Sequence, residues 1–208
     1  MRTFLISAAA IAAIAGGTAV IAQQTPGVPG AKDPSRVTGG TYQVDPGHTQ
    51  VAFAYDHMGF SNNFGLISQP TGTLTLDPKN VAASKVSIDV PIANLRTGIP
   101  ALDEHLMKAD FFDSAKFPKA TFVSTSVKPD GATSAEITGN LTIKGVTKPV
   151  TLDADFYGAG KAPAMAGGKE NVGFVATTTI KRSDFNMGYA VPMVGDAVEL
   201  KIVAAFQK

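Results

Sequence analysis

His48, His57 and His105 are the residues best suited by type to hold a metal or move a proton. Their spacing argues against a shared ion. His48 and His57 sit nine positions apart, and on a strand an odd separation puts them on opposite faces unless a bulge intervenes. No His-Glu-x-x-His or comparable ligand spacing occurs. Structural hydrogen bonds at loop and strand ends are therefore the expected role of these histidines. Around His105 stand Asp103, Glu104, Asp110 and Asp113, which could supply a carboxylate pair for acid–base work. Acidic residues opening a short helix are accounted for more simply by the helix dipole. A hydrolase or isomerase using His105 and Asp103 is the enzymatic alternative. There is no Gly-x-Ser-x-Gly turn and no glycine-rich phosphate loop. The chain has no cysteine, so disulfides, thiolate zinc sites and a cysteine nucleophile are excluded. Lys181-Arg182-Ser183-Asp184-Phe185 is a charge cluster at a strand end. It reads as a structural ion pair or as a group orienting a ligand's polar end.

The elements that must carry these residues are mostly strands. Val51, Phe53, Tyr55 and His57 alternate with Ala52, Ala54 and Asp56, a period of two with the large residues on one face. The same alternation runs through Thr71–Leu76, Val86–Ile92, Ala120–Val127, Ile137–Ile143, Val150–Phe156, Phe174–Ile180 and Val198–Phe206. Turns are expected at Gly59–Gly65, Asp77–Asn80, Lys128–Gly131 and Lys144-Gly145, with a loose loop over Gly158–Glu170. One short helix begins near Pro100, where a first turn tolerates proline, and leads into the aromatic run Phe111, Phe112 and Phe117. About eight one-sided strands with hairpin-type connections make an all-β sandwich or closed antiparallel barrel, and closure removes the unpaired edges. Gly72, Gly139, Ala154, Ala176 and Ala204 are small residues on inward positions. Either phenylalanines fill the space they leave, or a ligand does.

Composition narrows the partners. Eighteen basic residues face seventeen acidic ones, so no electrostatic footprint for nucleic acid exists. Arg2, the apolar run Phe4–Ile14 and Val20-Ile21-Ala22 before Gln23 have the form of an export leader with a small-residue cleavage site. The apolar part is short of the roughly 20 residues a membrane anchor needs. Residues 1–22 are thus expected to be a cleaved signal peptide and residues 23–41, rich in Pro and Gly, a flexible linker. Residues 42–208 form the domain, periplasmic and without stable membrane insertion.

Several segments together resemble the YceI-like family of exported polyisoprenoid-binding proteins. They are Tyr42-Gln43-Val44-Asp45-Pro46-Gly47-His48-Thr49, His57-Met58-Gly59-Phe60-Ser61, and Asp110-Phe111-Phe112-Asp113 with Phe117-Pro118. Gly139-Asn140-Leu141-Thr142-Ile143-Lys144-Gly145-Val146-Thr147-Lys148-Pro149-Val150 is the most specific stretch. Thr177–Ile180 with Arg182, Asp184 and Phe185 follows, and Asp196–Leu200 completes the match in order. Two positions depart from the family pattern: Leu102, where an arginine is usual, and Asn186, where glycine is frequent.

The resemblance implies an eight-stranded lipocalin-like barrel, with one short helix region after the third or fourth strand and a long apolar tunnel. It implies no catalytic residues, no metal and no cofactor. The ligand implied is a long-chain isoprenoid or alkyl amphiphile, such as an isoprenoid quinone or a prenyl phenol. On this basis Val51, Phe53, Tyr55, Phe122, Leu141, Phe174, Ile180 and Ile202 are expected to line the tunnel. Phe60, Phe64, Phe111, Phe112 and Phe185 are expected to gate its mouth, and His57, His105 and Arg182 to meet the polar end. The rival structural reading is a stress-related barrel with a packed core. Oligomeric state is left open between monomer and homodimer.

Overall fold

The computed structural model describes residues 27–208, so the leader read over residues 1–22 lies outside it. Eleven strands form one antiparallel sheet, in the order β1-β4-β5-β7-β8-β9-β10-β11-β2-β3-β6, and β1 also pairs with β11. The strands are β1 Gly40–Val44, β2 Gln50–His57, β3 Ser61–Ser68, β4 Thr71–Leu76, β5 Lys85–Pro91, β6 Leu95–Arg96, β7 Lys119–Pro129, β8 Ser134–Ile143, β9 Val146–Lys161, β10 Glu170–Lys181 and β11 Val194–Gln207. The one α-helix among the described residues, α1, spans Pro100–Leu106.

The eleven strands make eight staves. β1 and β2 follow one another along the same edge of β11, with Val44 opposite Phe206 and Gln50 opposite Val203. β3–β4 and β5–β6 are broken in the same way. Pro46 and Pro70 lie in the first two breaks and Pro91 ends β5 at the third; proline cannot donate to a ladder. The result is a closed up-and-down antiparallel barrel, and α1 follows its third stave. Register shifts in the β7–β8, β9–β10 and β11–β2 ladders, the second leaving Tyr157 of β9 unpaired, are bulges that add the bend closure requires.

Local chemistry sets the turns. Lys144 and Gly145 both take positive φ, 50° and 75°, the mirror-image turn whose twist suits a two-residue hairpin. Asp77 Oδ1 accepts from the amides of Lys79 and Asn80 at 2.9 and 3.0 Å. Asp45 accepts from Gly47 N at 3.0 Å and pairs with His48 Nδ1 at 2.8 Å, so His48 braces the break between β1 and β2.

Three expectations are corrected. Gly59–Gly65 is not a turn throughout, because β3 starts at Ser61 and pairs with β2 from Ser61 to Ser68. Pairing there overrides the poor strand propensity of Asn62 and Asn63. Gly158–Lys161 is not loop but the end of β9, opposite β10 from Gly158↔Gly173 to Lys161↔Glu170. The segment read as a linker is seated on the barrel from Ala31 onward. Ala31 exchanges both backbone hydrogen bonds with Ala159, at 3.0 and 2.9 Å, and Asp33 caps a 3₁₀ turn at Pro34–Arg36.

The two ends of the barrel differ. At one end, Leu106 of α1 packs with Ile67 and Leu95, joined by Leu102, Met107, Phe111 and Phe112. Beside it Ile92, Ala120, Ile143, Ile180, Phe185 and Met187 form a second buried cluster. At the opposite end Tyr42, Val44, Leu74, Leu76, Phe156, Ala159, Val172 and Phe206 pack into the wall. Among the described residues no helix is long and apolar enough to cross a membrane.

Candidate ligand-binding cavity

An apolar cavity of about 340 Å³ occupies the barrel. The alternation read from sequence positions its wall: every second residue of a stave faces in. Val51, Val90, Leu141, Val150, Leu200 and Ile202 line the deeper part, with Thr178 contributing a hydroxyl. Val90, Leu141, Val150 and Leu200 rest in turn on the buried cluster at the helix end, so that cluster is the floor.

The mouth lies at the other end. There the cavity is bounded by the β4–β5 connection, through Pro78 and Val81, and the β7–β8 connection, through Pro129, Gly131 and Ala132. Pro34 and Val37 complete the rim. Ala154 and Ala176 are cross-strand partners, and together with Ala204 they hold one side of the bore open. Phe156, Phe174 and Phe206 stack edge-to-face beside them, with centroids 6.0 and 6.2 Å apart.

Gly72 and Gly139 serve different purposes from those three alanines. Gly72, at φ 143°, lies against the backbone of Ser87 and Ile88. Gly139 lies under the Phe122 ring. Both allow close approach rather than cavity space.

Polar groups on the wall are mostly spent on the protein. Thr49 Oγ1 donates to Ala205 O and accepts from Ala205 N, both at 3.0 Å. Ser84 Oγ accepts from Asp77 N at 3.1 Å. Ser134 Oγ donates to Asp155 at 2.6 Å. What remains is a greasy bore with Lys85 at its rim.

The structure brings five of the expected ligand residues onto this wall: Val51, Phe122, Leu141, Phe174 and Ile202. The others sit elsewhere. Ile180 is in the floor cluster, and Phe53 packs against the Ile67–Leu95–Leu106 group. Tyr55 and His57 follow Phe53 toward the helix end of β2, and Tyr55 stacks with Phe53. Phe112 and the fully buried Phe185 help to build the floor, so they seal that end rather than gate it. Phe60 and Phe64, 85% and 73% exposed, stand on the outer surface of the β2–β3 hairpin, at the closed end.

Nor do the expected polar contacts reach the bore. His105 meets Phe111 and Tyr189 edge-to-face, at 5.0 and 6.0 Å. Arg182 is buried, and its guanidinium donates to four backbone carbonyls. These are Gly195, Tyr189 and Val194 at 2.8 Å each, and Met187. Burial lowers the pKa of Arg182, partly countered by Asp196. Asp196 in turn accepts from Ser183 N and Oγ at 2.9 and 2.8 Å. The cluster at residues 181–185 is a clamp on the loop that follows it. Asp103 accepts from Thr97 N and Oγ1 at 2.7 and 2.6 Å; the Thr97 side-chain bond holds its carboxyl below the usual range. Among the described residues no three potential ligands gather as a metal site.

Sequence reading missed the rim: Pro34, Val37, Pro78, Val81, Pro129 and Ala132. These are turn and linker residues with no periodicity to mark them. The two departures from the family pattern also find their places. Leu102 packs against the Ile67–Leu95–Leu106 cluster. Asn186 adopts φ 58°, ψ 31° at the end of the 3₁₀ turn Arg182–Phe185, a left-handed position that asparagine tolerates and glycine favours.

The chain matches the YceI-like domain over residues 42–206. It is 43% identical over 163 residues to Protein YceI of Escherichia coli O157:H7, covering 77% of this chain and 83% of the relative. The same identity and coverage hold for Protein YceI of Salmonella arizonae. Among solved structures it resembles BcnA of Burkholderia cenocepacia, with TM-score 0.68 and 26% identity over 78% of this chain and 98% of that one. It also resembles the Campylobacter jejuni YCEI protein, with TM-score 0.64 and 30% identity over 74% and 89%. A polyisoprenoid binding domain from Saccharophagus degradans shares the fold, with TM-score 0.59 and 13% identity over 80% and 97%. Match, identity and barrel agree, and the chain belongs to the YceI-like family.

Proposed function

We propose that this protein is a non-catalytic carrier that encloses the tail of a long-chain isoprenoid amphiphile, of the isoprenoid quinone or prenyl phenol type. It would act in the periplasm after removal of residues 1–22. The observation that carries the reading is the continuous apolar bore, open at one end and floored at the other. The fold neighbour described as a polyisoprenoid binding domain supports the ligand class. The leader composition supports export. The tail enters first, because the bore is lined by apolar side chains down to the Ile92–Ile180–Phe185 cluster, and the polar end stays at the rim near Lys85.

Each CH₂ moved from water into such a bore contributes about 0.8 kcal/mol. About 25 buried carbons would therefore reach the ~18–21 kcal/mol at which non-covalent affinity saturates. The competitor is the bilayer, where the tail is already out of water. Exchange between bilayer and bore is then nearly balanced, which suits a carrier or buffer. The test is native mass spectrometry and solvent extraction of protein purified from a quinone-containing host. A bound prenyl lipid supports the proposal; uniformly empty protein overturns it.

A further inference from the structure

The segment from Pro29 to Thr38 precedes the family match, which begins at Tyr42. It runs from β9 to the start of β1. In the ring of staves these two are separated by β10 and β11, so the segment crosses the barrel end as a chord, at the end where the cavity opens. We propose that residues 29–38 are part of the ligand site: a strap that closes the mouth of the bore and sets the rate of ligand exchange. This rests on the carrier reading and adds a structural element to it.

Four observations carry it. First, the strap occupies a real sheet edge. β8 begins at Ser134, opposite Asp155 of β9, so β9 continues past its neighbour and leaves unpaired backbone. Ala31 fills that edge with a two-bond bridge to Ala159, as an added strand does. Second, the barrel is cut to receive it. A Cβ at Gly160 would overlap the Pro29 carbonyl oxygen, and one at Gly158 would stand 3.1 Å from Ala31 O. Neither glycine has positive φ, so neither is required by β9 itself; side-chain-free backbone is required by the strap.

Third, the strap contributes Pro34 and Val37 directly to the cavity lining. Fourth, its far end is latched by polar groups beside β1. Tyr42 Oη donates to Thr38 O at 2.6 Å. The Thr38 hydroxyl bonds the Glu170 carboxylate, which also pairs with Lys208 at 3.3 Å. One bridge, one cap and one latch are few attachments compared with the full ladders of the barrel. Such a segment opens locally at far lower free energy than the sheet beneath it.

The test uses the full chain loaded with a prenyl quinone as probe, released into excess phospholipid vesicles carrying a pyrene-labelled lipid whose fluorescence the quinone quenches, and followed by stopped flow. Ala31→Cys with Ala159→Cys locks the strap. The spacing of a hydrogen-bonded antiparallel pair, about 5.5 Å between Cα atoms, lies within disulfide range, and no other cysteine competes. Oxidised, this variant should release the probe at least tenfold more slowly than after reduction. Gly160→Val, which suits a strand but displaces Pro29, should release it at least tenfold faster than the parent. Equal rates for the oxidised and reduced forms, or a parental rate for folded Gly160→Val, overturn the strap and leave the carrier reading standing. A parent chain that binds no probe overturns both.

Discussion

The ring of Phe122 on β7 lies over Gly139 of β8, so close that a Cβ at 139 would stand 2.7 Å from the ring's Cε2 and 2.7 Å from the Val123 carbonyl oxygen. A wall aromatic is thus held flat by a missing side chain next door. Gly139→Val should push Phe122 into the bore. Overpacking of this kind costs about 1–3 kcal/mol. Urea unfolding should show the loss, and retention of a bound prenyl lipid should fall with it.

Ala176→Phe tests the bore from the opposite wall. Ala176 faces Ala154 across β9 and β10, and both border empty space. A larger apolar side chain has room to enter. Binding of a long prenyl chain should drop at least tenfold, while stability holds or rises by about 1 kcal/mol, as cavity filling commonly does. Titration with a prenyl quinone alongside thermal melting separates the two effects.

Arg182→Ala should destabilise without altering the bore. The substitution strands the carbonyls of Met187, Tyr189, Val194 and Gly195. Lost charged hydrogen bonds at a buried site cost about 3 kcal/mol. Ligand affinity per folded molecule should stay at the parental level. A selective loss of affinity, with normal unfolding, would return Arg182 to the polar end of the ligand.

Acid should weaken the fold through a few carboxylates. The Thr97 side-chain bond leads in lowering Asp103, and the Thr38 side-chain bond leads in lowering Glu170. At Asp196 burial opposes, but the Ser183 bonds and Arg182 outweigh it and the net shift is downward. Groups with lowered folded pKa values contribute stability above their unfolded values, and that contribution is lost as pH falls through the folded ones. Melting temperature should therefore be flat above pH ~5 and fall below pH ~4. Asp103→Asn should lower it at pH 7 and flatten the acid slope. An unchanged slope would remove Asp103 from this account.

Much of the barrel could be read in one dimension because strand alternation is a local property. Val150, Leu152, Ala154 and Phe156 declare an inward face by period alone, and Lys144-Gly145 declares its turn by residue type. The same holds for the apolar character of the wall: Val51, Phe122, Leu141, Phe174 and Ile202 are where alternation puts them. Asn62 and Asn63 resisted that reading, since their strand state comes from pairing with β2, which propensity does not encode.

Which end of the barrel opens is a property of the assembled molecule. Phe112 and Phe185 looked like a gate and are a floor, because α1 and the turn at Arg182–Phe185 fold over the same opening and bury them. Arg182 looked available and is consumed by carbonyls up to thirteen residues away. Pro34 and Val37 looked like linker and border the mouth, because Ala31 finds a free edge on β9, a stave more than a hundred residues further along the chain. Contacts at that separation depend on closure of the whole ring, and no pattern in neighbouring residues carries them.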